Sequence, residues 1–85
     1  MKSEVELRAG IRAKVIQLSR ALGKKTTDIK DDDILLEKGL LDSASVLELI
    51  VWLEEDNGVE LEPGELSLDN FGSISRMASF LAAQH

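Results

Sequence analysis

A chain of 85 residues, 44% of them hydrophobic, is long enough for one small folded domain, which is expected to span residues 1–85. Aromatic residues make up only 4% and cysteine is absent, so the core must be built from Leu, Ile, Val and Ala. A disulfide framework, a thiolate metal site and a cysteine nucleophile are all excluded. The formal net charge of −6 disfavours nucleic acid and anionic membranes as partners.

The charge is divided along the chain. Residues 1–30 hold eight Lys/Arg against three Asp/Glu, a net +5, and residues 31–85 hold two against thirteen, a net −11. The basic third is spaced along a helical pattern rather than clustered, so it does not make a nucleic-acid footprint. The acidic remainder suits basic patches on protein partners. No apolar run approaches the roughly 18 residues of a membrane span. Met1-Lys2-Ser3-Glu4-Val5-Glu6 has no signal-peptide apolar region, which leads us to expect a cytoplasmic protein with no membrane partner.

The first helix is predicted from about Ser3 to Leu22. Ser3 and Glu6 have the spacing of a capping box. Leu7, Ile11, Val15, Leu18 and Leu22 recur on one face, and Gly23 is the stop signal. Gly10 lies inside this helix, where it costs about 1 kcal/mol relative to Ala. Residues 23–42 then form a long connection. It is expected to be pinned to the core by Ile29, Leu35, Leu36 and Leu40, because a structureless loop of that length is unusual in a compact domain. Asp31-Asp32-Asp33 lacks the alternating acids and central glycine of a calcium loop.

A second helix is predicted from Ser43 to Asp56, stopped by Asn57-Gly58. At 100° per residue, Val46, Leu49, Ile50 and Leu53 face the core with Leu47 at the margin. Ala44, Glu48, Val51, Trp52 and Glu55 fall on the other side. Residues 59–68 form a second connection containing Pro63, with a short helical turn over Glu65 to Asn70. The last helix runs from Ser73, its cap, to Ala83, burying Ile74, Met77, Ala78 and Leu81. No stretch alternates convincingly, so the fold class is all-α, a small three-to-four-helix bundle.

The chemistry concentrates at Asp42-Ser43. A serine at a helix start, after a loop, is exposed, and the free N–H groups of the first turn favour an anion there. Taken alone, the pair reads better as an ordinary N-cap. His85, the single histidine, supplies neither a catalytic triad nor a metal site, and no glycine-rich phosphate loop is present. Catalytic and metal residues are accordingly none.

The stretch Gly39-Leu40-Leu41-Asp42-Ser43-Ala44-Ser45-Val46-Leu47-Glu48-Leu49-Ile50 resembles the attachment site of the acyl carrier and peptidyl carrier protein family. Asp42-Ser43 and Glu48-Leu49, five residues on, fit the family pattern. Leu35 to Leu41 is similar to the approach in peptidyl and D-alanyl carriers, and Leu53-Glu54-Glu55 and Gly58-Val59-Glu60-Leu61 are also similar. The resemblance covers nearly the whole chain and implies an acyl-carrier-protein-like bundle. It implies that a phosphopantetheinyl transferase moves a 4'-phosphopantetheine arm from coenzyme A to Ser43, flanked by Asp42. The arm's thiol then holds an acyl or aminoacyl group as a thioester, loaded by an acyl- or aminoacyl-activating ligase and presented to downstream transferases or synthases of a biosynthetic pathway.

On this reading the chain is a monomeric tether and not an enzyme, and it raises the effective concentration of its cargo at partner sites. Its partner face is Ala44, Glu48, Val51, Trp52 and Glu55. Two departures from the pattern point to a specialised rather than a housekeeping fatty-acid carrier. Ala44 stands where fatty-acid carriers have Leu or Met, and the first helix is basic. The competing reading from another class is an unmodified helical adaptor that binds a partner through the second helix.

Overall fold

The computed structural model describes residues 3–83; Met1, Lys2, Gln84 and His85 lie outside them, and with them the reading of His85. Among the described residues four α-helices follow in chain order: α1 (Glu4–Ala21), α2 (Ser43–Asn57), α3 (Leu68–Phe71) and α4 (Ile74–Ala83). A 3₁₀ turn, Pro63–Glu65, precedes α3. There is no strand among the described residues, so the architecture is the small helical bundle that the periodicity indicates. The short turn anticipated over Glu65 to Asn70 is two separate pieces, because Pro63 fixes a first turn and the chain bends again before α3.

α1 begins on the capping box. The Ser3 hydroxyl accepts the Glu6 N–H at 3.2 Å, and the Glu6 carboxylate accepts the Ser3 N–H at 3.3 Å. Leu7, Ile11, Val15 and Leu18 are buried, each contributing roughly 1.5–3 kcal/mol by leaving water. They meet Ile74, Met77, Ala78 and Leu81 of α4, the main partner of α1. The Ser79 hydroxyl donates to Glu4 at 3.4 Å across the same pair of helices. Leu22 does not join the stripe and stays 38% exposed. The helix has ended at Ala21, and Gly23, at φ 76°, turns the chain away before Leu22 can reach the core.

The connection after α1 is irregular but held at several points. Arg12 donates to the Ile29 carbonyl through both terminal nitrogens, at 2.8 Å for Nη1, and its Nη1 lies 3.5 Å from Asp31. Arg8 joins Glu4 at 3.1 Å and approaches Asp31 at 3.7 Å. The Asp31 carbonyl accepts the Ser75 N–H at 2.9 Å, and the Gly72 carbonyl accepts the Leu35 N–H at 3.0 Å, so α4 and the turn before it grip the same loop. Ile29 and Leu35 are buried and Leu40 packs against the core, as the sequence suggests. Leu36 is not an anchor: it is 42% exposed, and Leu41 is buried in its stead. The tight turns through 34–40 carry Leu36 outward and bring Leu41 in.

α2 buries Leu49, Ile50 and Leu53 and ends at Gly58, which adopts the left-handed conformation at φ 63°. Asn57 is part of the helix rather than its stop; its side-chain amide donates to the Leu53 carbonyl at 3.0 Å. Glu54 accepts the Leu61 N–H at 2.9 Å and so ties the next loop back to α2. Trp52 packs against α1, where its ring lies over Gly10 and Lys14 Nζ sits 5.9 Å from the ring centroid.

A Cβ added at Gly10 would meet the Trp52 ring at 4.0 Å, an ordinary contact. The glycine is therefore not required by close packing. Gly10→Ala should raise unfolding stability by about 0.5–1 kcal/mol through helix propensity, measured by urea unfolding followed at Trp52. A loss of stability would show that the ring cannot accept the methyl group.

Candidate functional site

The start of α2 is built by Asp42. Its backbone is extended (φ −101°, ψ 177°), its carbonyl accepts the Val46 N–H at 2.9 Å, and its side chain accepts the Ser45 N–H at 2.8 Å. That backbone N–H bond is the main reason the Asp42 carboxyl is held below the ordinary carboxylate value; the Ser45 side chain adds to the effect. Ser43 is the first helical residue and is exposed. Helix geometry leaves the Ser43 and Ala44 N–H groups without an intrahelical acceptor, so the serine hydroxyl stands at the positive end of the helix dipole.

The approach to Asp42 is fixed from α1. The fully buried Ser19 donates from its hydroxyl to the Leu40 carbonyl at 2.8 Å, and its own carbonyl accepts the Lys24 N–H at 3.0 Å. Leu40 and Leu41 N–H groups converge on the Leu35 carbonyl at 3.0 and 3.4 Å, and Gly39 makes the turn at φ 69°. Ser19 escaped the sequence reading. Its only trace there is a small polar residue directly after Leu18, at the edge of the apolar stripe. Ser19→Ala should cost about 1–3 kcal/mol, since the Leu40 carbonyl loses a buried donor. Amide hydrogen exchange at Leu41 to Ser43 should quicken more than at Leu53; uniform acceleration would mean that Ser19 does not act on the approach.

Two recesses open near the start of α2. An apolar one of about 230 Å³ is lined by Leu35, Leu36, Val46, Ile50, Leu66, Ser67, Phe71 and Gly72, and so reaches the first turn of α2 at Val46. A more polar one, lined by Leu22, Lys24, Gly39, Leu41 and Asp42, reaches the cap residue before Ser43. Along α2, Ala44, Glu48, Val51 and Glu55 are exposed together. Trp52 departs from that group and is half-buried in the groove with α1. Leu47, placed at the core margin by the helical wheel, is 62% exposed and extends the outward face beside Val51. No group of three or more His, Cys, Asp or Glu among the described residues could hold a metal ion, and no helix among them is long and apolar enough to cross a membrane.

A protein-family model described as the phosphopantetheine attachment site matches residues 16–81, from the last turns of α1 to the end of the core face of α4. The chain belongs to this family. It is therefore a carrier of covalently attached 4'-phosphopantetheine, a group supplied by phosphopantetheinyl transferases and served by acyl-handling enzymes. No curated protein and no solved structure matches the chain. The start of α2 fits such a group, because it offers an exposed hydroxyl, helix N–H groups free for a phosphodiester, and recesses that reach Asp42 and Val46.

The cap of the carrier's α2 also carries a pH dependence. A carboxyl held below its unfolded value stabilises the fold above the ordinary carboxylate range, and that contribution is lost as pH falls through the folded value. Asp42→Ala should lower the urea midpoint at pH 7, and its difference from wild type should shrink at about pH 3. Asp42→Asn, which keeps an acceptor without titrating, should retain most of the pH 7 midpoint. A gap between Asp42→Ala and wild type that does not narrow in acid would count against the cap.

Proposed function

We propose that Ser43 is the residue to which the 4'-phosphopantetheine arm is attached, with Asp42 holding it in place. The observation that carries this is its position: an exposed hydroxyl on the first residue of a capped helix, within the matched attachment family. The arm supplies the thiol that this cysteine-free chain lacks, on which an acyl or aminoacyl group is held as a thioester. Ser43 presents the tether outward, α2 orients it, and the recess beside Val46 shelters cargo from water. The recess of about 230 Å³ lies below the roughly 300–1,000 Å³ typical of drug-sized ligands, which favours a short acyl or aminoacyl group over a long fatty chain. The carrier works in the cytoplasm, as a monomer and not as a catalyst. It meets its transferase, a loading ligase and downstream transferases or synthases through Ala44, Glu48, Val51 and Glu55. Leu47 adds apolar area to this face, and Trp52 contributes at most the edge of its ring.

Incubation with coenzyme A and a broad-specificity phosphopantetheinyl transferase should add the mass of one arm to wild type and nothing to Ser43→Ala. No gain on wild type would leave the unmodified adaptor as the better reading. An equal gain on Ser43→Ala would move the attachment point elsewhere.

A further inference from the structure

Leu22 and Lys24 have no role in the core. Leu22 continues the apolar stripe of α1 yet remains exposed, and Lys24 is an exposed cation with no ion pair among the described residues. Both line the recess of about 360 Å³ that reaches Asp42, directly beside Ser43. The third wall is Gly39, whose missing side chain leaves open space. The Asp42 carboxylate in the same recess stays charged, with Oδ1 accepting the Ser45 N–H, and Lys24 is the one cation that lines the recess. Ser19 holds the two walls in register: its carbonyl accepts the Lys24 N–H and its hydroxyl donates to Leu40.

Phosphopantetheine begins with an anionic phosphodiester and continues into a carbon bearing two methyl groups. A cation beside an exposed leucine, next to the attachment serine, matches that order of charge and apolar surface. We infer that this recess seats the first section of the arm, with Lys24 taking the phosphodiester and Leu22 the branched carbons. The inference rests on Ser43 being the attachment residue. It makes Lys24 and Leu22 positioning residues that bias the arm toward the α1 side when no partner holds it. An exposed pair of this kind is weak, so the seat is one the arm leaves readily.

Apo- and holo-protein, the latter verified by intact mass, are compared by ¹H–¹⁵N NMR. Attachment should shift the amides of Gly23, Lys24 and Gly39 as well as the neighbours of Ser43. Lys24→Gln should reduce the changes at Gly23 and Gly39 roughly two- to five-fold, and Leu22→Ala should reduce them similarly. Lys25→Gln, whose residue does not line the recess, should leave them unchanged. Salt at about 0.5 M should weaken them in wild type. Changes confined to the first turn of α2, or an equal effect of Lys24→Gln and Lys25→Gln, would overturn the seat while leaving attachment intact. Absence of the mass gain would overturn both.

Discussion

The position of Ser43 depends on how the connection between Leu22 and Asp42 is pinned. Ordering a residue of irregular chain costs roughly 1–2 kcal/mol of backbone entropy, and this segment has no continuous helical ladder to offset it. Its support comes from widely separated points: the guanidinium of Arg12 on the Ile29 carbonyl, the Ser75 N–H of α4 on the Asp31 carbonyl, the Gly72 carbonyl on the Leu35 N–H, and the Ser19 hydroxyl on Leu40. Ile29, Leu35 and Leu41 supply the apolar anchors between those bonds. Leu41 is buried immediately before the cap, so the chain enters α2 from a fixed point. Without that anchor, the Asp42 cap would hold only the helix to itself and not the helix to the domain.

This pinning changes the meaning of the basic first helix. In the sequence, a net +5 over the first 30 residues looks like a surface property. In the structure part of that charge is engaged within the domain. Arg8 and Arg12 sit on Asp31, Lys14 on Trp52, and Arg20 donates to Thr26 at 3.3 Å. The arginines suit the task because a planar fork can hold a carbonyl and a carboxylate together. A helix that binds its own acidic loop leaves the acids of α2 to set the field beside Ser43, with Glu48 and Glu55 flanking the exposed Val51.

The helices were legible in the sequence because their signals are local. The Ser3–Glu6 box, the stripe from Leu7 to Leu18, and Ile74 to Leu81 each repeat at the period of a helix and each carry a cap; the Ser73 hydroxyl does accept the Arg76 N–H at 3.2 Å. The errors fall where periodicity stops. Leu22 fits the stripe by spacing, but a positive-φ glycine one residue later ends the register. Leu36 and Leu41 are equally apolar, and only the turns between them decide which one points inward. Trp52 is outward on a helical wheel, yet α1 comes close enough at Gly10 to cover part of its ring. The site divides along the same line: the cap and the serine are neighbours in sequence, whereas its recesses join residues from separate segments and leave no pattern to read.

A carrier's chemistry needs little from the protein beyond one hydroxyl in the open, so selectivity must come from what surrounds it. Ala44 removes the large apolar contact that many relatives of the fatty-acid type present next to the serine. Leu47 and Val51, at 62% and 51% exposure, place their apolar area one to two turns further along α2. On the proposed attachment at Ser43, that shift moves the exposed apolar area of α2 away from the arm and among Glu48 and Glu55. A partner with a large pocket close to the serine would find little to fill it. A partner with a shallow apolar patch ringed by basic groups, set further from the arm, would match both the shape and the charge of this helix.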